Sequence, residues 1–247
     1  MRRPMWIGLF ALFLATPPLA AQDDPAMVYT AYYKVAYADL EEWTRIYHEV
    51  SVPVLEAMQE EGLITGFGVW QHLHGGEYNW RFAIRAPGWS NYGTFWGAFF
   101  SRSEAADPAA FAATGAMLQA HRDEVWDITQ VNIPDGAPPA TYFYDSMFQV
   151  SFADLDAWNA MWNESVGPLL DAAMANGTLG GWVVENHNTG GRYNWKVLYL
   201  FEEWDTMDDF FDGMMSGLIK AGLWERMGSM IQAHDDIIWT SVPTPGN

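Results

Sequence analysis

Hydrophobic and polar positions alternate over short stretches of this chain and then shift to helical spacing, twice over. Met27–Ala36 is rich in Tyr and Val and alternates, which predicts a strand. Asp39 then reads as the cap of a helix running to about Glu61 and ended by Gly62, with Pro53 predicting a kink or a break near Val52. Ile64–Leu73 and Tyr78–Arg85 read as strands joined around Gly75-Gly76, a pair suited to a tight turn that needs positive φ. Helical segments follow from about Asn91 to Phe100 and from Pro108 to His121, and Glu124–Val131 closes the unit as a strand. The order is β-α-β-β-α-β.

The second half repeats the first. Aligned without gaps at an offset of 115, Ala38–Arg81 and Ala153–Lys196 share 17 of 44 residues. The shared set includes Asp39/Asp154, Trp43/Trp158, Glu49/Glu164, Pro53/Pro168 and the frame H-x-x-G-G-x-Y-N-W at His72–Trp80 and His187–Trp195. After a two-residue slip, Gln119–Trp126 (QAHRDEVW) matches Gln232–Trp239 (QAHDDIIW). The expected organisation is one repeat at 27–132, a Pro/Gly linker at 133–140 and a second repeat at 141–242.

That element order is the ferredoxin-like split βαβ unit. Two in tandem resemble the dimeric α+β barrel superfamily, fused here into one chain. The resemblance covers roughly residues 27–242 and rests on element order and duplication. It implies an α+β fold in which two four-stranded sheets face each other as a pseudo-twofold barrel, with helices outside. Similar barrels include antibiotic-biosynthesis-type monooxygenases, NIPSNAP-like proteins and the chlorite dismutase and coproheme decarboxylase group.

Composition narrows the partners. The formal net charge of -19 disfavours nucleic acid and anionic membranes, and suits cationic or neutral ligands better than anionic ones. The absence of Cys excludes disulfides, thiolate metal sites and Cys nucleophiles. Arg2 and Arg3, the apolar stretch Met5–Ala15 and the small residues Ala20 and Ala21 read as a cleaved secretory signal at 1–21. A periplasmic or extracellular location is therefore expected, with no membrane association after cleavage. Association into a homo-oligomer is left open.

Candidate chemistry centres on the repeated hairpin. A two-residue turn sets Trp70 opposite Arg81 and His72 opposite Asn79, and in the second copy Glu185 opposite Lys196 and His187 opposite Asn194. Tyr78, Trp80, Tyr193 and Trp195 fall on the other, apolar face. The polar sets should face the space between the sheets and line a cavity there. Trp70, His72, Asn79, Arg81, Glu185, His187, Asn194 and Lys196 are the expected ligand-binding residues, with His72 and His187 as catalytic candidates. The competing reading is that His and Asn only satisfy one another, or sit at the solvated barrel rim.

A second repeated set, His121/Asp123 and His234/Asp236, falls at a predicted helix end before the last strand. The aromatic run WSNYGTFWGAFF reads as a buried or cavity-lining helix. No metal-ligand spacing, P-loop or dinucleotide fingerprint is present, and no cofactor is expected. The favoured function is binding of a small apolar or aromatic molecule, in the inter-sheet cavity or under the helices. The alternatives are a cofactor-independent monooxygenase or isomerase-like enzyme, a haem-binding barrel and a structural role.

Overall fold

The two repeats build one closed antiparallel barrel. The computed structural model describes residues 26–242; the predicted signal at 1–21 lies outside the described residues. The first repeat comprises β1 (Met27–Val35), α1 (Leu40–Ile46), α2 (Val52–Glu60), β2 (Gly66–His74), β3 (Trp80–Ala86), α3 (Trp89–Ala106), α4 (Pro108–Met117) and β4 (Leu118–Asn132). The second comprises β5 (Tyr142–Val150), α5 (Leu155–Met161), α6 (Gly167–Ala175), β6 (Gly181–Thr189), β7 (Trp195–Phe201), α7 (Thr206–Lys220), α8 (Leu223–Met230) and β8 (Ile231–Ser241).

The strand order around the barrel is β1-β3-β2-β8-β5-β7-β6-β4. The expected barrel of two four-stranded sheets closes because β2 pairs with β8 and β4 with β6, so the halves join at both edges. Closure leaves no unpaired strand edge, which answers the solvation cost of open backbone groups. Alternation along the strands then makes three cores. Two lie between barrel and helices, around Tyr47, Leu55 and Trp80 in the first repeat and Trp158, Trp162 and Trp195 in the second. The third fills the barrel interior around Tyr32, Trp70, Trp126 and Trp239.

Three local expectations change. The helix does not break at Pro53. It widens over Tyr47–Ser51, where the Val52 N–H reaches back to the Tyr47 carbonyl. This puts Pro53 in the first turn of α2, where no N–H is needed. Pro168 repeats the arrangement, with the Gly167 N–H bonded to Trp162. Asp39 and Asp154 accept no capping bond, because they already sit in short 3-10 turns with near-helical backbone. Finally, β4 starts at Leu118, so His121 and Asp123 are strand residues. The ladder with β1 sets Tyr33 opposite His121 and Ala31 opposite Asp123, and this pairing overrides the local helical propensity of the Ala-rich run.

Candidate functional site

The repeated hairpin has the register its turn predicts: Trp70 faces Arg81, and Glu185 faces Lys196. The His72 N–H donates to the Asn79 carbonyl at 3.1 Å, and the His187 N–H to that of Asn194 at 3.1 Å. Gly75 (φ 82°) and Gly190 (φ 86°) adopt the left-handed backbone of such a turn. They have a second reason to be glycine. A Cβ on Gly75 would run into the Asp236 carbonyl oxygen, and one on Gly190 into that of Asp123. Each hairpin therefore lies across the last strand of the other repeat and clasps the two halves together.

The side chains of the frame brace each hairpin within its own repeat. Asn79 accepts from the Val35 N–H at 2.9 Å and donates to the Val35 carbonyl at 2.7 Å. Asn194 does the same with Val150, at 2.8 Å each way. The ring Nε2 of His72 bonds the Gly75 carbonyl, and that of His187 the Gly190 carbonyl. His and Asn thus share no side-chain bond. His72 and Asn79 do border a recess of about 250 Å³ at this barrel end, beside Lys34 and Tyr37. Trp80 and Trp195 pack under the helices as expected. Tyr78 and Tyr193 do not. The regular strands begin only at Trp80 and Trp195, and the two tyrosines turn toward the barrel interior.

The open cavity expected between the sheets is filled. Arg81 lies 4.8 Å over the Trp70 ring and 3.5 Å from Asp145. The Lys196 ammonium is 2.5 Å from Glu185 and 4.3 Å over Trp126. Arg122 stands 3.0 Å from Glu124 and 4.4 Å over Tyr32. Arg81, Lys196, Glu185, Glu124 and Asp145 are at most 3% exposed. These charges answer one another, as buried ions must.

Open space lies instead on the outer face of the first repeat. A cleft of about 370 Å³ separates β1, β3 and β4 from the overlying helices. Its strand side carries Tyr29, Tyr33, Trp80 and Phe82. The wide helical turn presents Tyr47, with Trp43 one turn before it, and α3 supplies Trp96, Phe99 and Phe100. Trp96 meets Tyr29 edge-on at 4.6 Å and stacks on Phe100 at 5.1 Å. The polar groups gather on β4. The Tyr29 hydroxyl donates to Asp123 Oδ1 at 2.5 Å, and His121 Nε2 lies 3.3 Å from Asp123 Oδ2. Burial, then the neighbouring Tyr33 and the bond to Asp123, push the Tyr29 phenol far up, so it stays protonated and donates.

The second repeat keeps the polar pattern but fills the space. Ser146 donates to Asp236 at 2.7 Å and sits 3.0 Å from His234 Nε2, while His234 stacks on Phe148 at 4.6 Å. Trp158 is 0% exposed and Trp162 1%. Trp162 stands where the first repeat has Tyr47, and Met227 where it has Thr114. The covering helices differ as well. α7 and α8 bury Met207, Phe210, Met214, Leu218, Leu223 and Met227, whereas α3 and α4 bury Phe95, Ser103 and Ala110. Among the described residues, bulkier buried side chains thus occupy in the second repeat the positions that border the cleft in the first.

The sequence sets His121 and Asp123 at a helix end and reads the α3 aromatics as a buried or cavity-lining helix. It gives no ligand role to Tyr29, Tyr33, Trp43 or Tyr47. The signal was present: Tyr29 recurs as Tyr144 at the same offset of 115.

A haem does not fit the residues present. Among the described residues the cleft lining holds no Lys or Arg to meet two propionates, and its one carboxylate is that of Asp123. Under the helices of the second repeat, Trp158, Trp162 and Trp195 are buried in one packed cluster.

Neither a family model nor a curated protein sequence matches the chain. Solved structures do. A candidate monooxygenase from Lactobacillus acidophilus aligns with a TM-score of 0.58 at 10% identity, covering 88% of this chain and 94% of its own. An anthrone oxidase-like protein aligns at 0.55 with 10% identity, covering 90% and 93%. Chlorite dismutase from Candidatus Nitrospira defluvii aligns at 0.56 with 11% identity, covering 88% and 91%. The chain has an α+β barrel fold, with both ferredoxin-like units in one polypeptide. Among the described residues no helix is long and apolar enough to cross a membrane, and no cluster of His, Asp and Glu could hold a metal ion.

Proposed function

We propose that the protein binds a small, largely apolar aromatic molecule in the cleft of the first repeat. The observation that carries this reading is the asymmetry between the halves. The same scaffold is packed solid on one side and leaves about 370 Å³ on the other, a volume within the range of ligand pockets. Tyr29, His121 and Asp123 are the polar groups that orient the bound molecule. His72, His187, Asn79 and Asn194 hold the hairpins, and the interior ion pairs hold the barrel. The resemblance to anthrone oxidase-like and monooxygenase-type barrels supports a planar aromatic ligand.

A second reading, proton-transfer catalysis on that molecule, is favoured by one observation: Tyr29, Asp123 and His121 form a connected acid–base set at the cleft wall. The experiment is a titration with the neutral fluorescent probe N-phenyl-1-naphthylamine. The double substitution Tyr47→Trp and Thr114→Met imports the packing of the second repeat. Probe affinity should fall at least about tenfold, the loss of one good apolar contact region. Unchanged affinity in a folded double variant removes the cleft as the site.

A further inference from the structure

The cleft is built for a positive charge. Its walls carry ten aromatic side chains among nineteen lining residues, contributed by strands, the first helical run, α3 and α4. Neighbouring rings meet at steep angles: Tyr29 and Trp96 at 81°, Trp43 and Trp80 at 79°, Tyr47 and Trp80 at 71°. The cleft is thus walled by aromatic side chains from the strands, the first helical run, α3 and α4, packed edge to face on one another. A ring face is the negative end of its quadrupole, and a desolvated cation among several such faces is held more strongly than an uncharged group of equal shape.

One full charge accompanies the rings. Asp123 is the only carboxylate in the lining, and no Lys or Arg stands there to neutralise it. Tyr29 donates to one of its oxygens. The other lies toward His121, and the Asp123 side chain remains 43% exposed, open to a ligand. The chain as a whole carries a formal charge of -19, so its field draws cations and repels carboxylates before contact. The barrel interior shows the same preference in closed form, with cations over Trp70, Trp126 and Tyr32.

From this we infer that the ligand is an organic cation: an amine or quaternary ammonium carrying an aromatic or apolar body, with its charged head among the rings near Asp123. The inference rests on the cleft being the ligand site and adds the charge of what enters it. Aromatic acids of similar size are excluded.

The test compares benzyltrimethylammonium with 2,2-dimethylpropylbenzene, its uncharged isostere, by tryptophan fluorescence titration of the full chain. The buffer holds about 0.15 M salt, which screens the general surface field beyond roughly 8 Å. The cation should bind at least about tenfold tighter, the margin one or two desolvated cation–π contacts supply. Asp123→Asn should reduce that margin with little change for the isostere, and Trp96→Leu should reduce it independently should the first variant fold poorly. Equal or tighter binding of the isostere overturns the cation and leaves the cleft intact as an apolar site. A preference that survives both substitutions also overturns it, because the charge is then read elsewhere. If neither compound binds the wild-type chain, the cleft reading falls together with this one.

Discussion

Replacing Asn79 with Ala should weaken the fold and spare the ligand. The Asn79 side chain is 6% exposed and satisfies both backbone groups of Val35, at 2.9 and 2.7 Å. Val35 ends β1, so the amide stands in for the next rung of a ladder that has run out of strand. Alanine leaves a buried N–H and a buried carbonyl without partners. Each orphaned group costs about 1–3 kcal/mol, so the sum is about 2–6 kcal/mol. For a chain of this size, 1 kcal/mol moves Tm by about 2–4 °C, so a mid-range loss of ~4 kcal/mol lowers Tm by about 8–16 °C. Asn194→Ala should act similarly, since Asn194 makes the same two bonds to Val150 at 2.8 Å. Circular dichroism melts give the Tm, and a probe titration below the transition gives the affinity. An Asn79→Ala protein with unchanged Tm and lost binding would refute the reasoning, because the amide would then belong to the ligand.

Two further outcomes follow from buried groups. Lys196→Met leaves Glu185 as an uncompensated charge inside the barrel, 3% exposed, and should cost about 3–5 kcal/mol in urea unfolding; adding Glu185→Gln should restore much of that loss. Tyr32, Tyr47 and Tyr199 have phenols pushed up, in each case chiefly by burial. The folded state therefore keeps protons that the unfolded chain releases above pH ~10, so their contribution is complete below that pH and lost as pH rises through it. Melts at rising alkaline pH should show Tm falling from about pH 10 onward, with the last part of the phenolate absorbance appearing together with unfolding; titration of all 11 tyrosines while the fold persists would contradict the assignment.

Much of the architecture was legible because duplication and turn chemistry are local signals. The offset of 115 set two β-α-β-β-α-β units side by side, and the Gly-Gly turn fixed a register that placed Arg81 on Trp70 and Lys196 on Glu185. Whether the interior was open was not legible. Arg122, Asp145 and Trp239 reach it from β4, β5 and β8, and only closure at both barrel edges shows that they fill it. The histidines of the hairpin recur together with their bonds, each ring meeting the carbonyl of the glycine three residues on. His121 was assigned to a helix end because the run before it is rich in Ala, and pairing with β1 took it into a strand. The cleft became visible only when the repeats were compared for bulk, at Tyr47 against Trp162 and Thr114 against Met227.

The most direct test of the account is where a bound aromatic molecule sits. A crystal structure of the chain soaked with N-phenyl-1-naphthylamine should show one molecule between β1 and α3, in contact with Trp43 and Trp96 and beside Asp123. Density at the His72 recess, or inside the barrel with the Arg81 and Lys196 pairs displaced, would contradict it.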